Sequence, residues 1–277
     1  MLQVSQLYIY PIKSLGGIRL DNATVTDRGF KYDRRWMLID HNNRFISQRE
    51  FAQMALLKTD ISDKFLTVTN TSTKTSINIP LIPINKEFTK VNVWDDSCDA
   101  VLLSDEIDSW FTAALGMAVR LVYMPDNSHR YIEEKYAQDN EITSFSDAFP
   151  FLLIGQSSLD DLNSRLEVSL PINRFRPNIV FTGALPYFED VMDSFAINGI
   201  GFNGAKLCAR CVMITIDQQD GSSSKEPTKT LAGYRTKNKK IYFGQNLIHH
   251  GVGTISVGDE ITLLSTHTDD RFIIPPK

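Results

Sequence analysis

Short runs in which β-branched and aromatic residues alternate with polar ones, cut apart by turn residues, fill the first ~100 residues, and a period of two commits a chain to strands. The clearest case is "RRWMLIDHNNRFISQRE". It predicts a hairpin with strands Trp36–Ile39 and Arg44–Ser47 around "DHNN", because Asp and Asn tolerate tight-turn backbone angles. "FLTVTN", "TSINIP" and "KVNVW" continue the pattern, and no longer period repeats, which argues against solenoids and propellers.

The period changes at "SDEIDSWFTAALG". Ser104 is placed to cap a helix, Asp105 and Glu106 suit its positive start, and Ile107, Trp110, Phe111 and Leu115 recur on one face. The polar, punctuated stretch from Met124 puts a junction between two units at about residues 120 to 145. Beyond it, "FPFLLIG" reads as a short buried strand. A helix follows, opened by Ser157 with Asp160 three residues later and striped by Leu159, Leu162 and Leu166. "NIVFTG", "AKLCARCVMITID" and "GTISVGDEITLL" return to strands. The fold class is therefore mainly β (α+β): two β-rich units with a few helices, the second a barrel or strongly bent sheet.

With 277 residues, 42% hydrophobic and 22% charged, the chain can bury a sizeable core. A net charge of −4 without a lysine-rich tract points away from nucleic acid. The longest apolar runs fall short of the ~20 residues of a membrane helix, so no membrane span is expected. "MLQVSQLYIYPIKS" lacks the basic start and apolar core of a signal peptide, and three cysteines, an odd number, favour a reducing cytoplasm.

Two of those cysteines lie in "KLCARCVMITID", on a β-branched run rather than at a helix start, unlike a thioredoxin-type pair. On a regular strand residues three apart face opposite ways. Cys208 would then join Val212, Ile214 and Ile216 on a core face, and Cys211 would join Met213, Thr215 and Asp217 on a more polar one. A four-ligand zinc site fits poorly, since Cys98 stands apart and the five histidines offer no second spaced pair. Two inert buried thiols remain open on spacing alone.

Other clusters concern anions. "YPIKSLGG" offers N–H groups, a hydroxyl and an ammonium to a phosphate, although an ordinary surface turn reads the same way. In "DRRW" only one of Arg34 and Arg35 faces inward. In "NRFRPN" Arg174 and Arg176 share a face and Phe175 takes the other. An inward arginine is paired with a carboxylate, the commoner solution, or holds an anion. "FSDAF" sets Asp147 in a loop before an apolar strand, as a functional carboxylate or a turn cap.

Taken in order, "YPIKS", "GFKYDRRWMLID", "FSDAFPFLLI", "NRFRPNIVF", "CARC" with "TIDQQDG", "EPTKTLAGYR", "FGQN" and "GTISVGDEI" resemble the MOSC family, named for the molybdenum cofactor sulfurase C-terminal domain. The likeness runs through nearly the whole chain and is to the amidoxime-reducing component type. It implies a β-barrel domain over residues 1–120 and a MOSC domain over 121–277. It implies the molybdenum cofactor (Mo-molybdopterin), one pyranopterin dithiolene on molybdenum, with Cys211 as the protein's metal ligand. Lys13, Ser14 and Arg34 would anchor phosphate and pterin together with Arg176 and Asn178, and Asp147 would approach the metal as the second catalytic group.

The implied reaction is reduction of small N-hydroxylated substrates (amidoximes, hydroxylamines, N-hydroxylated bases) by oxygen-atom abstraction. Electrons would come from a separate donor protein: a ferredoxin, a flavodoxin or a cytochrome b5-like reductase chain. The family also carries an association with pyridoxal phosphate. A non-catalytic carrier of cofactor or sulfur is the alternative within the resemblance, and a β-rich binding module without cofactor the alternative outside it. Ala209 and Ala148 stand where some relatives have hydroxyl residues, which implies fewer side-chain hydrogen bonds to the cofactor.

Overall fold

The computed structural model describes residues 1–85 and 87–274. The chain opens with β1 (Gln3–Ile9), β2 (Ile18–Leu20), β3 (Asn22–Thr26), β4 (Gly29–Phe30) and β5 (Trp36–Ile39). An antiparallel sheet of β6 (Leu57–Ile61), β7 (Phe65–Asn70) and β8 (Ser76–Pro80) follows. Next come β9 (Phe88–Val93), β10 (Asp96–Leu102), helix α1 (Asp105–Leu115) and β11 (Arg120–Tyr123), with strand order β5-β11-β10-β9. A ribbon of β12 (Arg130–Tyr131) and β13 (Ile142–Thr143) leads into the second half.

That half contains β14 (Phe151–Gly155), α2 (Gln156–Ser164), β15 (Ile179–Thr182), β16 (Met192–Ile197) and β17 (Ile200–Ala209). It continues through α3 (Thr228–Tyr234), β18 (Thr236–Lys237), β19 (Lys240–His250), β20 (Gly253–Ser256) and β21 (Ile261–Thr266). The long sheet runs β2-β1-β15-β14-β19-β17-β16-β21, with β18 attached to β19. Strands β14 and β15 lie parallel with α2 as their crossover, which is what joining parallel neighbours requires. The fold is mainly β, with three α-helices among the described residues.

Burial follows the sequence pattern. Strand β7 alternates exposed or half-buried with buried residues, as a one-sided strand should. Strand β14 is buried at every position, as its unbroken apolar run demands. Its Phe151 and Leu153 join a core with Phe195, Phe202 and Leu247, while Leu152 and Ile154 point the other way onto Leu159 and Leu162 of α2. In the first half Trp36 and Leu38 pack with Ile107, Phe111 and Leu115 of α1; Met37 and Ile39 pack with Val91, Val93 and Phe145.

Two strand pairings tie the first strands to the second half of the chain. β1 lies antiparallel to β15, and β3 lies antiparallel to β20. The chain leaving β1 is held beside the residues that precede β15, since the Tyr8 N–H donates to the Asn178 carbonyl (2.9 Å). "YPIKS" and "RPN" become neighbours through that register.

Helix α1 forms as its N-cap predicts, with the Ser104 hydroxyl accepting from the Ile107 N–H, and the structure adds a C-terminal closure at Gly116, φ 68°. Three local expectations differ. Of the predicted hairpin, β5 forms and Asn43 turns at φ 60°, but residues 44–47 make single bridges, Phe45 to Ile39 and Arg44 to Asn92, because they divide between two partners. Helix α2 starts at Gln156 without a side-chain cap, and it is Ser158 that bonds, donating to Glu189 and accepting from the Tyr187 N–H. Finally, β17 ends at Ala209 and residues Val212–Thr215 form a 3₁₀ turn, so "CARC" straddles a strand end.

Phe202 is fully buried, edge-on to Phe151 and stacked on Phe195 at 5.6 Å between centroids. Phe202→Ala should cost about 3–5 kcal/mol, read as a lower urea midpoint at an unchanged m-value.

Candidate functional site

The end of β1, the turn before β5, the loop before β14, the turn before β15 and the end of β17 converge on one cleft of about 190 Å³. Lys13, Ser14, Arg34, Asp147, Arg176, Asn178 and Cys211 all line it. Three of them, Ser14, Arg34 and Arg176, hold left-handed backbone angles at φ 68°, 48° and 57°. Non-glycine residues rarely stay there unless the surroundings fix them, and such strain gathers at functional sites.

Cys211 is exposed, at the N-terminal cap position of the 3₁₀ turn. The sulfur is free because the strand has stopped at Ala209, not because a continuing strand turns it to a polar face. Cys208 was expected inside the core, yet it is half-buried and borders the same cleft, its Sγ accepting from Arg210 Nη1 at 3.1 Å.

Asp147 is the hub of the site. Its Oδ1 accepts from Lys13 Nζ (2.6 Å) and Trp94 Nε1 (3.3 Å), and its Oδ2 accepts from an Arg49 N–H (2.8 Å). Burial works against its charge, but Lys13 and Arg49 prevail and hold the carboxyl well below the usual range. Lys13, only 4% exposed, also donates to the Phe145 carbonyl (2.8 Å). Burial pulls its ammonium down to about 8 against the attraction of Asp147. The loop carrying Asp147 is fixed by Arg130, which donates to the carbonyls of Ser144, Ser146 and Asp147.

A second network lies around Tyr10. The guanidiniums of Arg34 and Arg176 each rest on its ring, at 4.4 and 4.2 Å. Arg34 Nη1 donates to Asp33 (2.6 Å) and to the Asn178 side chain (3.1 Å), and Arg176 Nη1 donates to the Leu15 carbonyl (2.7 Å). Burial lowers Arg176 to about 10. Arg35, the other member of its pair, turns away to the Met124 carbonyl and Asp126. Arg174 and Arg176 do share the cleft, but from the end of a 3₁₀ turn at Ile172–Arg174 and a left-handed position two residues further on rather than from one strand face.

Sequence reasoning missed Arg49, Trp94, Arg130 and Arg210. The arginine inside "CARC" was a signal for the last; Arg49 and Trp94 come from turns and Arg130 from the two-residue strand β12, where no motif marks them.

Among the described residues, six cationic side chains, Lys13, Arg34, Arg49, Arg174, Arg176 and Arg210, border the cleft against the single carboxylate of Asp147. Arg174 Nε is sealed from solvent without an acceptor, and neither the hydroxyl nor the N–H of Ser14 has a partner among the described residues. Such a donor set fits a ligand rich in anionic oxygens. The exposed thiol suits a soft metal at its far end.

Lys13 carries a pH signature. The unfolded chain keeps this proton to about pH 10.5, whereas the folded protein releases it near pH 8. Between the two the unfolded state binds more protons, so folding stability rises with pH across that window, by about 3 kcal/mol from this group. In Lys13→Met this part of the slope should vanish when urea melts at pH 8 and pH 10 are compared. Asp147 loses a partner in that variant but titrates far below the window.

Two family models match the chain. The MOSC N-terminal beta barrel domain family matches residues 1–118, and the MOSC domain family matches residues 140–262. The mouse mitochondrial amidoxime-reducing component 1 is 32% identical over 94% of this chain and 82% of its own length. Its human counterpart is 31% identical over the same shares. A rice molybdenum cofactor sulfurase is 29% identical over 88% of this chain, which spans 32% of that longer protein.

Proposed function

The chain belongs to the MOSC family, in the arrangement where a MOSC N-terminal beta barrel domain precedes the MOSC domain, and on that premise we propose that it is a molybdenum-cofactor oxidoreductase reducing N-hydroxylated compounds. One observation carries the reading: an exposed thiol, Cys211, opens into a cleft bordered by six cations and one carboxylate in a chain of net charge −4. The likeness to amidoxime-reducing components supports the substrate class: amidoximes, hydroxylamines and N-hydroxylated bases.

In this reading Lys13, Ser14 and Arg34 hold the cofactor's phosphate and pterin with Arg176 and Asn178, and Cys211 is the metal's protein ligand. A thiolate would match a metal that also carries dithiolene sulfurs, and coordination would keep it deprotonated. When bound, the cofactor supplies the two-electron chemistry that splits the N–O bond, and the net reaction takes up two protons and releases water. Asp147 stays charged through the neutral range, so its part is to accept a hydrogen bond from the substrate's N–H or O–H and orient it, rather than to deliver a proton. Lys13 is oriented by the Phe145 carbonyl and Asp147, which aims its ammonium into the cleft. Electrons come from a separate carrier protein in a reducing cytoplasm. No helix among the described residues is long and apolar enough to cross a membrane.

A second reading, a carrier of cofactor or sulfur without turnover, has support in the likeness to molybdenum cofactor sulfurases and in the openness of Cys211. Elemental analysis after gel filtration, followed by benzamidoxime reduction with a chemical donor, separates the two. An enzyme retains near-stoichiometric molybdenum and turns over; a carrier yields its pterin to an apo-enzyme and does not. Cys211→Ser should drop reduction to background while Cys208→Ser keeps most of it. Full activity in Cys211→Ser overturns the assignment.

A further inference from the structure

Arg49 touches both reactive groups of the site, although no motif points to it. Its Nε donates to Cys211 Sγ at 3.3 Å and its Nη2 to Asp147 Oδ2 at 2.8 Å. The guanidinium lies over the Trp94 ring at 4.7 Å, and Trp94 Nε1 reaches Asp147 as well. Burial works against the Arg49 charge, yet Asp147 and Cys211 more than restore it.

The support under Arg49 is itself strained. Val93 pairs with Asp96, so Trp94 and Asp95 form a two-residue hairpin loop between β9 and β10, and Trp94 sits at φ 58°. Asn, Asp or Gly ordinarily fill such a position, because a large side chain there crowds its own backbone. Trp94 is 49% exposed, so little burial compensates for that crowding. What the conformation achieves is to lay the indole under Arg49 with its N–H on Asp147. Two separate features of the first half, the turn at Ser47–Glu50 and the β9–β10 hairpin, thus meet on the thiol and carboxylate supplied by the second half.

A hydrogen bond to a metal-bound sulfur withdraws electron density and, with a nearby positive charge, stabilises the reduced metal. We propose that Arg49, braced by Trp94, is a positioning residue that locks Cys211 and Asp147 together and raises the reduction potential of the metal that Cys211 ligates. This rests on the cofactor reading above. It gives the N-terminal barrel a direct part in the chemistry, through the sulfur rather than through substrate contact.

The test uses the full chain purified with its cofactor, alongside Arg49→Met and Arg49→Lys. Three quantities are measured: molybdenum content, the metal's midpoint potential in an EPR-monitored redox titration, and kcat and KM separately with benzamidoxime. Arg49→Met should retain molybdenum, shift the midpoint to a more negative value and lower kcat by at least ~10-fold with KM within ~3-fold, the pattern of an interaction lost from the reacting centre rather than from binding. Arg49→Lys keeps a cation but not the Nε donor, and its midpoint should fall between the other two. A wild-type midpoint in Arg49→Met overturns the inference. Loss of molybdenum from both variants overturns it too, because Arg49 would then serve retention. Wild-type protein without molybdenum is a different failure, that of the cofactor reading, and elemental analysis alone reveals it.

Discussion

Gathering like charges out of water is costly, and the molecule's central constraint is that it does so around one cleft. Behind the lining, Asp33 pairs with Arg34 and Asp217 with Arg174, while Asp147 serves both Lys13 and Arg49. Six cations thus meet three carboxylates. The rest is balanced by neutral groups: Arg176 donates to the Leu15 carbonyl, and Arg210 to the Phe175 carbonyl and the Cys208 sulfur. A carbonyl dipole satisfies a guanidinium's hydrogen-bonding without cancelling its charge. The cleft therefore keeps a positive field set before any ligand arrives, the preorganised arrangement that binds an anion with little reorganisation.

That field needs both halves of the chain. Lys13 and Arg34 follow the first strands, Arg49 comes from a turn of the first half, and Arg176 and Arg210 come from the second. The antiparallel pairing of β1 with β15 fixes the distance between the two sets. A slip of one residue in that register would reverse the facing of every β1 side chain and carry Tyr10, the platform under Arg34 and Arg176, away from its guanidiniums. Structural and electrostatic specification are the same contact here.

How much of this was legible follows from the range of the interactions. Helix α1 declared itself because its N-cap, its acidic first turn and its stripe lie within a dozen residues. The seven candidate residues could be named because each sits in a short ordered motif. Arg49, Trp94 and Arg130 were not legible, since each matters only for a partner far along the chain: Cys211 and Asp147 for Arg49, Asp147 for Trp94, and the carbonyls before and at Asp147 for Arg130. Nothing in "SQRE" or "VWDD" encodes those distances. The one local hint, a tryptophan where a tight hairpin favours Asn or Gly, is visible only once the register of β9 and β10 is known.

The strand end at Ala209 shows why a correct inference about Cys211 had an incorrect premise. On a continuing strand the thiol would be committed to one sheet face, with neighbours two residues either side crowding it. The chain instead leaves the sheet after the Arg210 N–H donates to the Ile241 carbonyl, and turns at Cys211. That break costs β17 further ladder bonds, and the 3₁₀ turn recovers part of them through the Ile214 N–H, which donates to the Cys211 carbonyl. The geometry leaves one thiol projecting from an element end while the thiol three residues earlier stays against the sheet, half-buried beside Arg210. Alternation could separate the two cysteines by face; only termination of the strand leaves one of them projecting freely into the cleft.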